Sequence, residues 1–400
     1  MKRRMPPSET TGAALAAMAE RITAAGWTLY FEVSPLFEER WTGIPVVAAG
    51  LGQALLALLP ENTVFFYRND IVATEAVRDA FERESGLYLE RQFHQGHARL
   101  GSVPLAAARS ATAGLYPSVK PVNSLFAVEC SIYHDVSTLL LPHYHTAANV
   151  GHHLTQMTDD LRTNCVTFGV SQATVDDMVC YLGASGDDVA VARNGVAWPW
   201  WFPVQLKNEP PANNGVPYCI VLGTREPRKN LARVFDALAL FPEIIEHAQV
   251  LFVGSNGWLP ERHSAPKMID ELVAAGKIVF TGYVCSFEKY RLLAGAELSI
   301  YPSLFEGFGL PVLESLSVGT PCVASWSSAI PEVGRDACFY FDPLSAEDLG
   351  LTIRRVQRSN PRGTAAYATQ CEAIAAEFTW QAMLETVLGR LVPALAAAAP

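Results

Sequence analysis

Tyr301-Pro-Ser-Leu-Phe-Glu-Gly-Phe-Gly-Leu-Pro-Val-Leu-Glu314 is the stretch on which the reading of this chain turns. The run that leads into it, ELSIYPS (297–303), is apolar without alternation, as a strand buried on both faces of a parallel sheet requires. Gly307 and Gly309 then make a loop, Pro311 suits the first turn of a helix, and Gly319 is placed to stop that helix. The spacing predicts a strand ending at Ser303, a glycine loop, and a helix with Glu314 in its first turn. Such a loop at the carboxyl end of a parallel strand offers backbone amides and the positive end of a helix dipole, which suits a phosphate-bearing ligand. Glu306 and Glu314 are expected to line one pocket; either alone would read as a cap or a dipole partner.

The same grammar extends outward in both directions. YCIVLG (218–223), AQVLFVG (248–254), KIVFTG (277–282) and PCVASWS (321–327) read as further buried strands, each followed by a helical stretch. Earlier in the chain WTLYFEV (27–33), NTVFFYR (62–68), SLFAVECSIY (124–133) and CVTFGVS (165–171) read the same way. The two halves are separated by a Pro- and Asn-rich segment after Trp198, which places a boundary near 205–216. Trp198, Trp200 and Trp201 are read as aromatic packing between domains, since no basic amphipathic helix accompanies them. Residues 41–60 carry no charge and imitate a membrane span, but Gly43, Pro45, Gly50, Gly52 and Gln53 argue for a buried helix with Leu51, Leu55, Ala57 and Leu58 inward. The Ala-rich tail 394–400 reads as frayed.

Gly223-Thr-Arg-Glu-Pro-Arg-Lys-Asn230 follows one of these strands and precedes the helical stretch LARVFDALAL. Cations at a helix start oppose the dipole, so Arg228 and Lys229 point to an anionic ligand rather than to a structural role. Together with the 301–314 segment they imply a nucleoside diphosphate held between strand ends of the second domain. Neither segment is a GxxxxGK[ST] loop, and no G-x-G-x-x-G is present.

Composition limits the alternatives. The 400 residues suffice for two or three domains with ample core, and 50% hydrophobic content excludes a disordered chain. Lys and Arg total 30 against 40 Asp and Glu, a net charge of −10 that argues against nucleic acid as a partner and leaves any membrane contact peripheral. The eight cysteines are scattered singly and read as small buried hydrophobes in a reducing compartment. Lys2, Arg3 and Arg4 are followed by a polar stretch, so no signal peptide is expected and the cytoplasm is the default. Five of the nine histidines (134, 143, 145, 152, 153) cluster, yet spacing alone does not make a metal site, and they are read as cleft-lining or surface groups. The pairs Asp159-Asp160, Asp176-Asp177 and Asp187-Asp188 are read as solvated caps and turns.

FEGFGLPVLE is similar to the E-x7-E motif of retaining GT-B glycosyltransferases of family 4, and GTREPRKN resembles their donor-diphosphate loop. The resemblance continues through LFVGSNGW (251–258), IVFTGYV (278–284), SSAIPEVGRDA (327–337), FDP (341–343) and FTW (378–380). In the first half it is thinner: Thr42-Gly43-Ile44, His134-Asp135, FGVSQAT (168–174) and RNGV (193–196). It implies an α/β GT-B fold of two Rossmann-like domains facing across a cleft: an acceptor domain (25–205), a nucleotide-sugar donor domain (216–378), and a helix (379–392) returning to the first domain.

By the same resemblance, Thr224, Arg228 and Lys229 hold the donor diphosphate, the backbone of Gly307, Phe308, Gly309 and Leu310 supports phosphate and sugar, and Glu314 binds the ribose. Tyr283 and Val284 pack near the base, Glu306 contacts the transferred sugar, and His134 approaches the sugar from the first domain. Gly43 and Ile44 fall in the acceptor loop, where Pro45, Val46 and Val47 replace the glycine, basic and aromatic residues usual in relatives. The implied reaction is retaining hexosyl transfer without metal or other cofactor, there being no DxD triplet. GDP-mannose is the first donor expected, with UDP- and dTDP-sugars as alternatives. A glycan or lipid-linked saccharide in surface polysaccharide or lipopolysaccharide synthesis is the expected acceptor, handled at the inner face of the plasma membrane if peripherally bound. A nucleotide-sugar epimerase and a non-catalytic nucleotide-sugar binding module are the rival readings.

Overall fold

The computed structural model describes residues 9–68, 70–87, 89–90, 111–246, 248–257 and 266–398. Grouped by their contacts, these residues form two units: the chain up to Gly195 together with the stretch from Phe378, and Val196–Glu377.

The first unit is built on β1 (Thr28–Glu32), β2 (Thr63–Tyr67), β3 (Asp70–Val72), β4 (Thr112–Tyr116), β5 (Val128–Tyr133), β6 (Val166–Gly169) and β7 (Val189–Val191). Their order is β3-β2-β1-β4-β5-β6-β7, parallel except for the antiparallel β2/β3 pair. The second unit carries β8 (Tyr218–Leu222), β9 (Gln249–Val253), β10 (Ile278–Gly282), β11 (Leu298–Tyr301), β12 (Cys322–Ser325) and β13 (Cys338–Phe341) in the order β10-β9-β8-β11-β12-β13, all parallel. In each sheet the chain runs outward from a central strand, then crosses over and runs the other way. The reversal lies between β1 and β4 in the first sheet and between β8 and β11 in the second. Ligands of open α/β sheets bind outside the carboxyl ends of strands at such reversals.

The uncharged 41–60 run folds as the helix Ile44–Leu58, entered through Gly43 at φ +58°. Leu51 and Leu55 face inward as expected, but Ala57 is exposed and Leu58 half-buried; Ala54 and Leu56 take the inner positions. Gly50 is required because the Trp380 ring occupies the place of a side chain: a Cβ there would stand 2.2 Å from Trp380 Cε2. That tryptophan opens the helix Trp380–Ala398, which returns to the first unit and packs on the helices Ile44–Leu58 and Glu9–Ala24. The tail read as frayed is therefore helical through Ala398. Among the described residues no helix is long and apolar enough to cross a membrane.

Four other expectations are corrected. The change of unit falls at Gly195/Val196 rather than at 205–216, because Trp198, Trp201 and Phe202 pack on Phe287 and Tyr290 inside the second unit. Three strands of the first sheet (β3, β4, β7) and one of the second (β13) escape the sequence reading, being short or, in β4, interrupted by Gly114. Asp160 is no solvated cap: it is fully buried and accepts from Lys120 N at 3.0 Å and Ser131 Oγ at 3.2 Å. Cys165, Cys180 and Cys285 are exposed, while Cys130, Cys219, Cys322, Cys338 and Cys371 are buried as small apolar groups.

Candidate active site

The two segments singled out from the sequence come together at the β8/β11 reversal. β11 ends at Tyr301, two residues before the expected stop, and the loop after it meets the 223–230 loop through Leu304 N, which donates to Arg228 O at 2.9 Å. Asn230, in the left-handed conformation at φ 56°, ties the loops further: its Nδ2 donates to Pro302 O at 3.0 Å and to Pro343 O at 2.9 Å. Gly254 lets the ends of β8 and β9 close up, since a Cβ there would lie 2.0 Å from Gly223 O.

Four charges are packed at this meeting point. Lys229 Nζ lies 2.7 Å from Glu306 Oε1, Arg228 Nη1 3.2 Å from Glu306 Oε2, and Arg228 Nη2 2.8 Å from Glu226 Oε1. All four side chains are largely buried, so the cluster is viable because its charges cancel and are hydrogen-bonded. Burial alone would raise the Glu306 carboxyl, but Lys229 and then Arg228 outweigh it and hold the pKa at about 2. Arg228 also donates to Phe305 O at 2.7 Å, and Lys229 to the Tyr301 hydroxyl at 3.3 Å. Ser328 clamps the Glu306 backbone: Glu306 N donates to its Oγ at 2.8 Å, and Oγ donates back to Glu306 O at 2.9 Å.

Gly309, at φ 101°, turns the loop into the helix Leu310–Ser317 with Pro311 in its first turn, and Gly319 follows the helix at φ 70°. Phe308 is buried, and Val312 N donates to Gly309 O at 2.9 Å. Glu314 lies one turn deeper than expected, in the second turn of the helix, where its Oε1 is 2.5 Å from Lys289 Nζ. Thr224 and Tyr283 are half-buried in the loops after β8 and β10, and Val284 packs on the cluster of Tyr218, Leu222 and Val253.

The remaining candidates belong to the first unit. His134 follows β5, and its Nε2 lies 2.7 Å from Pro117 O, just past β4 and hence beside the β1/β4 reversal. A carbonyl only accepts, so Nε2 carries the proton and Nδ1 keeps the lone pair. Burial lowers the pKa of this imidazole against the opposing pull of Pro117 and Asp135, which favours the neutral ring. Gly43 caps the helix Ile44–Leu58 with its backbone, and Ile44 is half-buried at the helix start. Among the described residues no three His, Cys, Asp or Glu side chains converge as a metal ion would need. Sequence reasoning missed Glu226, Asn230, Tyr301, Ser328 and Lys289. Glu226 and Asn230 stood inside a quoted motif and Ser328 inside the 327–337 segment, but their roles depend on which loop each one meets.

Residues 205–370 match the family model of the group 1 glycosyl transferases. The group 1 match contains the 223–230 and 301–314 segments and the four-charge cluster they build. O-antigen chain mannosyltransferase B of Escherichia coli is 27% identical over 257 residues, 62% of this chain and 66% of its own length. MMP alpha-(1->4)-mannosyltransferase of Mycolicibacterium hassiacum is 33% identical over 220 residues, 54% of this chain and 50% of its own. The chain thus spans less than two thirds of the length of these curated relatives. Among solved structures, sucrose-phosphate synthase from Thermosynechococcus elongatus superposes with a TM-score of 0.64 at 18% identity, covering 93% of this chain and 100% of that one. Anabaena Alr3699/HepE in complex with UDP superposes with a TM-score of 0.62 at 16% identity, covering 91% and 99%. The chain has the GT-B fold, an α/β architecture of two Rossmann-like sheets.

Proposed function

We propose that the chain is a retaining hexosyltransferase that takes mannose from GDP-mannose, needs no metal ion, and delivers the sugar to a glycan or lipid-linked saccharide in surface polysaccharide synthesis. The observation that carries this reading is the neutralised Glu226/Arg228/Lys229/Glu306 cluster at the β8/β11 reversal. A diphosphate brings negative charge to a place where two largely buried cations are paired with the carboxylates of Glu226 and Glu306. Mannosyltransferase activity in the names of the E. coli and M. hassiacum relatives supports the choice of sugar.

In this reading Lys229 and Arg228 turn from Glu306 toward the diphosphate, and Glu306 is released to meet the hydroxyls of the transferred sugar. Breaking the bond between sugar C1 and the phosphate oxygen leaves the electron pair, and growing charge, on the nucleoside diphosphate. Preorganised cations and loop amides stabilise that charge. The acceptor hydroxyl bonds to C1 on the face the phosphate leaves, and its proton passes to a phosphate oxygen. Thr224 supports the diphosphate, Glu314 accepts from the ribose, Tyr283 and Val284 flank the base, and His134 offers Nδ1 as an acceptor to the sugar. The first domain, with Gly43 and Ile44, holds the acceptor, and any association with the inner face of the plasma membrane is peripheral.

The test is product formation from GDP-mannose with a panel of saccharide acceptors, with and without chelator. Turnover that persists in chelator and is lost in Glu306→Gln supports the reading. Turnover that needs added metal contradicts the metal-free step, and epimerised sugar nucleotide with no acceptor product contradicts transfer.

A further inference from the structure

Glu314 is held in a closed ring of contacts. Its Oε1 accepts from Lys289 Nζ at 2.5 Å, and that ammonium lies 5.4 Å from the centroid of the Trp198 ring. Trp198 Nε1 donates to Ser317 Oγ at 2.8 Å, and Ser317 Oγ donates to Glu314 O at 2.7 Å, which closes the ring on the helix Leu310–Ser317. Lys289 comes from the helix Ser286–Gly295, and Trp198 from the stretch immediately after the chain enters the second unit at Val196. Trp198 is itself fixed edge-on against Tyr290, at 5.4 Å and 63°. Among the described residues Glu314 Oε2 receives no hydrogen bond.

A carboxylate beside a diphosphate would repel it, and an unheld one would lose rotational freedom on accepting a hydroxyl. Lys289 removes both penalties: it supplies the counter-charge and fixes one oxygen while leaving the other to accept. Trp198 acts through Lys289, because an ammonium over an indole face is attracted by the ring quadrupole and the indole N–H is anchored to the helix that carries Glu314.

We propose that Lys289 and Trp198 are positioning residues for Glu314, which present Oε2 to the donor's ribose and so set the preference for a ribonucleotide over its deoxy form. This rests on the donor-site reading above and extends it to the segment where the chain passes from one unit to the other.

The test is calorimetric titration of the full chain with GDP, 2′-deoxy-GDP and 3′-deoxy-GDP, and with the corresponding UDP series. The ribonucleotide is expected to bind about ten- to a hundred-fold tighter than at least one deoxy form, as for a hydrogen bond to a charged group. In Lys289→Met every diphosphate should bind more weakly because the counter-charge of Glu314 is gone, and the ratio should collapse because the ribonucleotide loses the fixed acceptor as well. Trp198→Leu should give an intermediate ratio, and the double variant should be no worse than Lys289→Met alone, since one residue acts through the other. Lys289→Gln serves if the methionine variant does not fold. An undiminished ratio in the Lys289 variants, while Glu314→Gln loses it, overturns the positioning role alone. A ratio kept in Glu314→Gln, or no nucleotide binding at all, overturns the ribose assignment on which it stands.

Discussion

Replacing Glu306 by glutamine should destabilise the second unit through the cation it leaves behind. The Glu306 carboxyl falls from 4.5 to about 2 on folding, which corresponds to about 3 kcal/mol of stabilisation at neutral pH. An independent route gives the same order: breaking a buried pair by removing one partner costs ~3–5 kcal/mol. Arg228 keeps Glu226, but Lys229 is left with the Tyr301 hydroxyl as its acceptor. The sign follows from the depressed pKa. The contribution is complete above pH 4.5 and is lost as the pH falls through about 2, so the gap between wild type and Glu306→Gln should narrow over that window. Denaturant unfolding of the full chain at neutral and acid pH measures the gap, and hydrogen exchange of the β8 and β11 amides assigns it to the second unit. Adding Lys229→Met should recover most of the loss by removing the stranded charge. A single-variant loss within the ~0–1 kcal/mol of exposed ion pairs, or additive effects in the double variant, would refute the description of a tightly coupled buried cluster.

Asn230→Ala removes both bonds that tie the loops together and should lower transfer and stability together, with the loss read as a reduced melting temperature and a raised KM for donor. Burial of Glu32 raises its carboxyl to about 7 against the opposing bonds from Ser34, so its contribution is fully present below pH 4.5 and lost as the pH rises through about 7. Glu32→Gln should therefore flatten the fall in first-unit stability over that range, which denaturant midpoints against pH will show; an unchanged slope contradicts it. Gly50→Ala places a methyl in the Trp380 ring and should cost ~1–3 kcal/mol of first-unit stability, unless hydrogen exchange in the helix Trp380–Ala398 is unaffected. His134→Ala should depress kcat more than donor affinity, and the reverse pattern would remove it from the reacting face.

Much of the second unit could be read directly because its inner strands β8, β11 and β12 are buried along their whole length. Runs such as YCIVLG and AQVLFVG have no competing interpretation, and Gly309, Pro311 and Gly319 punctuate the helix where they stand in the sequence. The paired loops were legible for the same reason: cations at a helix start and a glycine loop each conflict with purely structural roles. What was not legible depends on pairing across the sheet. Nothing in Ser327-Ser328 says that a hydroxyl will clamp Glu306, and nothing around Lys289 says that a residue on the preceding helix will meet Glu314. Adjacent acids were misread because Asp159-Asp160 resembles a solvated pair, whereas Asp160 points into the buried network of Lys120, Glu129 and Ser131. β4 was lost because Gly114 breaks the apolar run, a glycine that Phe126 requires: a Cβ there would lie 2.4 Å from its ring.

The central claim is that the cluster at the β8/β11 reversal receives a nucleoside-diphosphate sugar and drives its transfer. Titration of purified, chelator-treated protein with GDP-mannose, UDP-glucose and dTDP-glucose tests it most directly, with thermal stabilisation and sugar release followed in the same samples. The account expects stabilisation by one donor, GDP-mannose first, with slow release of the sugar that disappears in Glu306→Gln. Stabilisation by none of them, or release at the wild-type rate in Glu306→Gln, would contradict it.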